Sequence, residues 1–327
     1  MQTLDSTIVN TALPAMAHSL NENALAMHGI IVSYTLTMAL LIPASGWLAD
    51  RFGTRRVFLS AVAIFALGSL LCALAPNLNQ LIAARVIQGL GGAMLLPIGR
   101  LAVLRSVPRE QFLAAMSFIA VPGLLGPLLG PTVGGWIVEF ATWHWIFLIN
   151  LPVCLLGIVL ALYYMPNFQA TIAPRFDWAG YALLTLGLIL LSLALTDGAQ
   201  RTGAWVPAAM FFLAALSWLA YCRYARGRAD VIFPTSLAKV TSLRIGSLGN
   251  VASRLGSSGM PYFLPLLLQL PLGYSPAQAG MMLVPIALAS MLAKKLVTVL
   301  VSRYGYRRVL IGNTLSLGAV MACFAAV

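Results

Sequence analysis

The feature that most constrains this chain is a succession of apolar runs, most of them about 20 residues long and separated by short polar or basic loops. A helix of about 20 residues crosses the hydrocarbon core of a bilayer, and inside lipid a helix satisfies its own backbone hydrogen bonds. Composition agrees. Of the 327 residues 60% are hydrophobic and 9% charged, and mean hydropathy is +0.91, so a soluble domain lacks the polar residues to cover itself. The expected class is an all-α polytopic membrane protein. Spans are read at 1–17, 29–49, 57–75, 80–104, 111–138, 145–165, 178–196, 204–224, 242–270, 277–301 and 308–327, eleven in all. The first is short, begins without a lead-in, and carries Asp5, Asn10 and Pro14. It lacks the basic n-region of a signal peptide and reads as the outer part of a helix whose beginning is missing. The last span ends with the chain.

Charge orients the bundle. A net charge of +12 could suggest nucleic acid, but the basic residues are scattered through short loops without interleaved aromatics, which excludes that partner. Most of the 20 Lys and Arg, including Arg51, Arg55, Arg56, Arg105, Arg109, Arg223, Arg226 and Arg307, fall in or beside every second loop, whereas the alternate loops hold only Arg201. By the positive-inside rule the basic loops are cytoplasmic, so the N-terminal side starts in the cytoplasm. Cys72, Cys154, Cys222 and Cys323 sit singly in apolar segments and read as small packing residues.

A basic turn occurs twice, as Asp50-Arg-Phe-Gly-Thr-Arg-Arg56 and as Ser302-Arg-Tyr-Gly-Tyr-Arg-Arg308, 252 positions later. Duplicated halves are the usual construction of secondary transporters, with the substrate site between them. Eight expected helices separate the copies. Two six-helix halves would therefore have two extra helices between them, fourteen in all, with the last ones missing here. The corresponding divisions are a six-helix bundle at 1–165, two linking helices at 166–236, and the start of a C-terminal bundle at 237–327.

Three further constellations carry physical content. Gly123, Gly126, Pro127, Gly130, Pro131, Gly134 and Gly135 recur at i, i+3, i+4, i+7, i+8, i+11 and i+12, one nearly smooth helical face. Such a face admits close backbone approach in a membrane, either as a static packing seam or as a bendable seam between moving halves. In the first basic turn, Asp50 ends a helix where a carboxylate is unfavourable unless a cation or another helix start faces it. Arg51, Arg55, Arg56 or a neighbouring helix start are the candidate partners, and Gly53 permits the tight turn. Within the spans, Asp5 is expected near mid-membrane, where an ionisable group marks function by default. Arg85 lies near an outer helix end, so pairing with a carboxylate and snorkelling to the headgroups both remain open. Trp143 and Trp145 at an outer boundary read as interfacial anchors. His18, His28 and His144 have no metal-binding spacing, and no nucleophile-base pair, phosphate loop or catalytic carboxylate pair is present. An enzyme is not expected.

Leu4-Asp-Ser-Thr-Ile-Val-Asn-Thr-Ala-Leu-Pro14, Gly46-Trp-Leu-Ala-Asp-Arg-Phe-Gly-Thr-Arg-Arg56, Leu81-Ile-Ala-Ala-Arg-Val-Ile-Gln-Gly-Leu-Gly-Gly92 and the glycine-proline helix resemble four signature motifs of the major facilitator superfamily. With Trp143-His-Trp-Ile-Phe-Leu-Ile-Asn-Leu-Pro152 they resemble its fourteen-helix drug:proton antiporters. The resemblance implies proton coupling or substrate contact for Asp5, Asn10, Arg85 and Gln88. It implies a cytoplasmic latch at Gly46, Asp50, Arg51, Gly53, Arg55 and Arg56, and an antiporter helix on the glycine-proline face. The function expected is proton-coupled efflux of amphipathic small molecules across a bacterial inner membrane by a monomer, with no cofactor and the proton gradient as energy source. Export of a metabolite or siderophore, and a membrane fragment that does not transport, stand as alternatives.

Overall fold

The computed structural model of the chain describes residues 1–23, 26–170, 175–196, 205–228, 230–257, 260–285 and 303–325, with single positions at 289, 296 and 300. Among them every regular element is helical. The first half holds α1 (Gln2–Leu20), α2 (His28–Leu41), α3 (Ser45–Phe52), α4 (Thr54–Ala73), α5 (Leu78–Ser106), α6 (Phe112–Phe140), α7 (Trp145–Leu148) and α8 (Asn150–Tyr164). Next come α9 (Trp178–Thr196) and α10 (Trp205–Tyr224), then α11 (Thr241–Ser257), α12 (Met260–Gln269), α13 (Pro276–Met282) and α14 (Tyr306–Ala325). Among the described residues, six helical stretches are long and apolar enough to cross a membrane.

Local chemistry sets several boundaries. The span expected at 29–49 is α2 and α3 joined by a 3-10 turn at Ile42–Ala44, where Pro43 has no N–H to continue the α-helical ladder, and it runs on to Phe52. α1 continues past the expected end at residue 17 to Leu20 and stops at Asn21, whose backbone is left-handed. Asn77 caps α5 by accepting from the Gln80 amide at 3.0 Å. The two basic turns share their geometry. Gly53 and Gly305 have φ of 90° and 78°, and their carbonyls accept from Val57 and Val309 respectively, which supports the duplication. Ser302 lies outside the described residues.

Packing follows membrane rules. α5 runs between α2 and α4, α8 lies on α4, and α1 lies along α6. Where α4 crosses α5, a Cβ on Gly68 would strike the Gln88 backbone and one on Gly91 would strike the backbone of Ala61 and Phe65, so each helix uses a glycine to admit the other. Ile8, Val9, Leu13 and Met16 of α1 close a core with Leu81, Ile146 and Phe147. The outer faces are apolar instead: Leu155, Leu156 and Leu160 of α8 and Phe212 of α10 are exposed, as a lipid-facing surface requires. Cys72 and Cys154 are buried as expected, but Cys222 is on the exposed surface of α10, and the Cys323 side chain lies outside the described residues. α9 and α10 pair with each other and reach the first helices mainly through α2.

Candidate functional site

Four helices bring polar side chains to one buried point. Asp5 on α1 is fully buried, and so is Arg85 on α5, at 0% and 1% exposure. Their charges meet at 2.7 Å, Arg85 Nη1 donating to Asp5 Oδ2. The other carboxylate oxygen, Oδ1, accepts from Gln88 Nε2 and from Asn150 Nδ2, each at 3.0 Å. A charge without water is tolerable only when paired and hydrogen-bonded, and here a single carboxylate takes donors from two neighbouring helices. Ala84, beside Arg85 on α5, is buried in the same core as Ile8, Val9 and Leu13 of α1.

The amides are not free to turn. Gln88 sits one helical turn from Arg85, and its Oε1 accepts from Arg85 Nη1 at 2.6 Å, which fixes its NH2 toward Asp5 and toward Ser69 Oγ. Ser69, on α4, accepts from both Gln88 and Asn150 and donates to the Phe147 carbonyl at 2.9 Å. Arg85 also lies over the Tyr34 ring, 4.2 Å from its centroid, and 5.6 Å from that of Phe147. Arg85 therefore turns inward to a carboxylate rather than snorkelling. Chemically, this cluster holds one ionisable carboxyl whose protonation would remove the charge that Arg85 answers.

A second arrangement lies at the basic turn. Asp50 is answered by Arg105, from the end of α5, at 2.7 Å, with both side chains partly exposed. None of the three arginines expected beside it takes that place. Arg55 instead donates to the Leu162 carbonyl, and its amide donates to Asn167 Oδ1 at 3.2 Å. The segment after α8 straps the turn: the Thr54 amide donates to the Phe168 carbonyl, the Ala170 amide to the Asp50 carbonyl, and Gln169 Nε2 to the Arg51 carbonyl. Gly53 is required twice over, by its φ of 90° and because a Cβ would meet the Asn167 side chain. Gly46 is different, since an added Cβ would meet nothing within 4 Å.

The glycine-proline face proves to have two partners. A Cβ on Gly126, Gly130 or Gly134 would strike Thr3, Thr7 and Ile8 of α1 in turn, and Thr7 Oγ1 donates to the Gly126 carbonyl at 3.1 Å. Toward the C-terminal end of α6 the partner changes to α13: Gly135 abuts Pro276, and Gly280 abuts the Pro131 carbonyl. Glu139 closes this contact by accepting from Ser275 Oγ at 2.8 Å and from the Ala277 amide at 3.0 Å, beside the capping box of Ser275 and Gln278. Gly123 meets nothing within 4 Å, and the Pro127 side chain lies outside the described residues.

A model of the Major Facilitator Superfamily matches residues 1–327. The chain belongs to the major facilitator superfamily. It is 50% identical over 330 residues to "Putative multidrug resistance protein MdtD" of Pectobacterium atrosepticum, covering all of this chain and 70% of that protein. It is equally 50% identical over 327 residues to the protein of the same name from Escherichia fergusonii, covering 99% of this chain and 69% of that one. Among solved structures, the POT family transporter PepTSo superimposes with a TM-score of 0.60 at 13% identity, over 94% of this chain and 68% of that one, which supports the fold alone. The chain is thus a multi-pass membrane transporter of the superfamily.

Of the residues that resemblance to the superfamily singles out, Asp5, Arg85 and Gln88 come together in one hydrogen-bonded cluster. Asn10 is buried five residues further along α1, on a different face from Asp5. Asp50, Arg51, Gly53 and Arg55 meet at the strapped turn. Two members of the buried cluster, Ser69 and Asn150, are absent from the sequence-based set. Asn150 stands within the Trp143–Pro152 motif, and an amide at the first position of an apolar helix was the available signal. Trp145 is exposed, as an interfacial anchor should be, whereas Trp143 is buried at 4% exposure against His144 and Phe147.

Proposed function

We propose that the protein is a proton-coupled exporter of amphipathic compounds, exchanging drug for protons by alternating access in the bacterial inner membrane with its N-terminal side cytoplasmic. The observation that carries this reading is the fully buried Asp5 carboxylate paired with Arg85 at 2.7 Å. A buried ion pair is costly unless it has a use, and an ionisable residue within a span is a proton-relay candidate. Protonation of Asp5 would cancel its attraction for Arg85 and loosen α1 from α5. Deprotonation would draw them together again, giving two states that a proton can bias. The name borne by the relatives supports drugs as cargo. The glycine-proline face fits the same cycle, because it joins α6 both to α1 beside Asp5 and to α13. In the proposed division, residues 1–165 form the first bundle, 166–236 the two linking helices, and 237–327 the start of the second bundle.

The test is transport in proteoliposomes, with ethidium as probe and an imposed pH gradient as the only driving force. The wild-type chain should accumulate ethidium against its gradient, and Asp5→Asn, expressed at the same level, should not. Gradient-driven accumulation by Asp5→Asn at the wild-type rate would overturn the reading.

A further inference from the structure

We propose that Asn150 is a positioning residue for proton exchange at Asp5: its amide holds the carboxylate in the ionised, Arg85-facing orientation and so sets the pH at which Asp5 takes up a proton. The inference rests on the proton-coupling reading above and assigns a role to α8, which that reading leaves idle.

The geometry is specific. Asn150 is the first residue of α8 and is 1% exposed. Its Nδ2 spends one hydrogen on Asp5 Oδ1 and the other on Ser69 Oγ, both at 3.0 Å. Ser69 cannot release it, because its own hydroxyl proton is given to the Phe147 carbonyl, three residues before Asn150 in the chain. α7 and the first residue of α8 are thus tied to α4, and the tie aims an N–H at one oxygen of Asp5. A donor is selective between protonation states. It stabilises the carboxylate, and gives less to a carboxyl group that must itself place a proton on one of its oxygens. Among the described donors Oδ2 accepts only from Arg85, whereas Oδ1 accepts from both Gln88 and Asn150, so Asn150 is one of the two amides that hold the charge on Oδ1.

The other titratable side chains around Asp5 are Arg85 on α5, Tyr34 on α2, Cys72 on α4 and Cys154 on α8. α6 carries a single charged residue, Glu139, at its far end, and α12 and α13 carry none. Among the described side chains around Asp5, Arg85 alone opposes protonation by charge, and it is unchanged when Asn150 is replaced. A shift seen in an Asn150 variant therefore reports the lost donor.

The experiment is an infrared pH titration of the purified full chain in detergent, following the carboxylic acid band that Asp5→Asn removes. Replacing Asn150 with Leu should move the midpoint of that band to higher pH by about one unit. Ser69→Ala, which frees the amide but leaves its donor in place, should move it the same way by less. If Asn150→Leu does not fold, Asn150→Ala carries the same prediction. Midpoints that coincide with wild type in the Asn150 variants would overturn the inference and leave proton coupling standing. No Asp5 band in the wild-type protein anywhere between about pH 4 and 10 would overturn the coupling reading itself.

Discussion

Among the described residues are two Asp–Arg pairs with the same 2.7 Å separation and opposite surroundings. Asp5 and Arg85 are 0% and 1% exposed, whereas Asp50 and Arg105 are 26% and 32% exposed. Distance alone makes them equal, yet the medium makes them different objects. In the interior, each charge has lost its water and depends on its partner and on Gln88, Asn150 and Tyr34 for compensation. At the rim, water and ions screen the pair, and such bridges are worth between nothing and about 1 kcal/mol. In the proposed cycle the buried pair is the element that one proton would switch. The rim pair is an accessory to a turn whose shape is set by the backbone.

The largest expected effect separates the two directly. Arg85→Leu leaves the Asp5 charge buried without a cation and should lower stability in detergent by about 3–5 kcal/mol. Adding Asp5→Asn should return most of that loss in thermal unfolding, because the uncompensated charge is then gone. A double variant no more stable than Arg85→Leu would mean that the two residues are not coupled. Asp5→Asn alone should cost less than Arg85→Leu, since its carbonyl can still accept from Arg85.

The seam tests whether the core pair depends on helix placement. Gly130→Leu would push the Thr7 side chain of α1, two residues from Asp5, and overpacking of that kind costs about 1–3 kcal/mol. Ethidium exchange should be blocked while the protein still inserts, as judged by its membrane-fraction yield. Gly46→Ala, whose added Cβ would meet nothing within 4 Å, should leave both properties near wild type.

Smaller effects are expected at the rim, and their order is informative. Gly53→Ala forces a side chain into a region of backbone space reserved for glycine and against Asn167, a cost of about 1–3 kcal/mol. Asp50→Asn should cost less than about 1 kcal/mol, and its effect should fade as salt is raised. A greater loss from Asp50→Asn than from Gly53→Ala would reverse the assignment of the turn to its backbone and strap.

Different parts of the molecule were legible in the sequence to different degrees, for physical reasons. The helical membrane class was plain, because a span is defined by a local property, about 20 apolar residues in succession. Asp5 and Arg85 stood out by the same rule, as ionisable groups where such groups are expensive. Their pairing did not follow, since they are 80 positions apart and a long side chain near a helix end has an aqueous alternative. Asn150 and Ser69 were harder still. A neutral polar residue in a span is affordable, so its presence alone predicts nothing until the fold supplies a partner. The glycine-proline stripe announced a smooth face, but its division between α1 and α13 belongs to tertiary structure. Arg105 was hidden from the Asp50 turn because half the chemistry of that turn arrives from the end of another helix.

The central claim is that Asp5 is the proton site to which substrate binding is linked. Its most direct test is proton release on binding: ethidium is added to the purified chain in weakly buffered detergent solution and the pH change is recorded. The account predicts that protein equilibrated at a pH where Asp5 is protonated releases protons when ethidium binds, and that Asp5→Asn binds ethidium without release. Equal proton release from wild type and Asp5→Asn would contradict it.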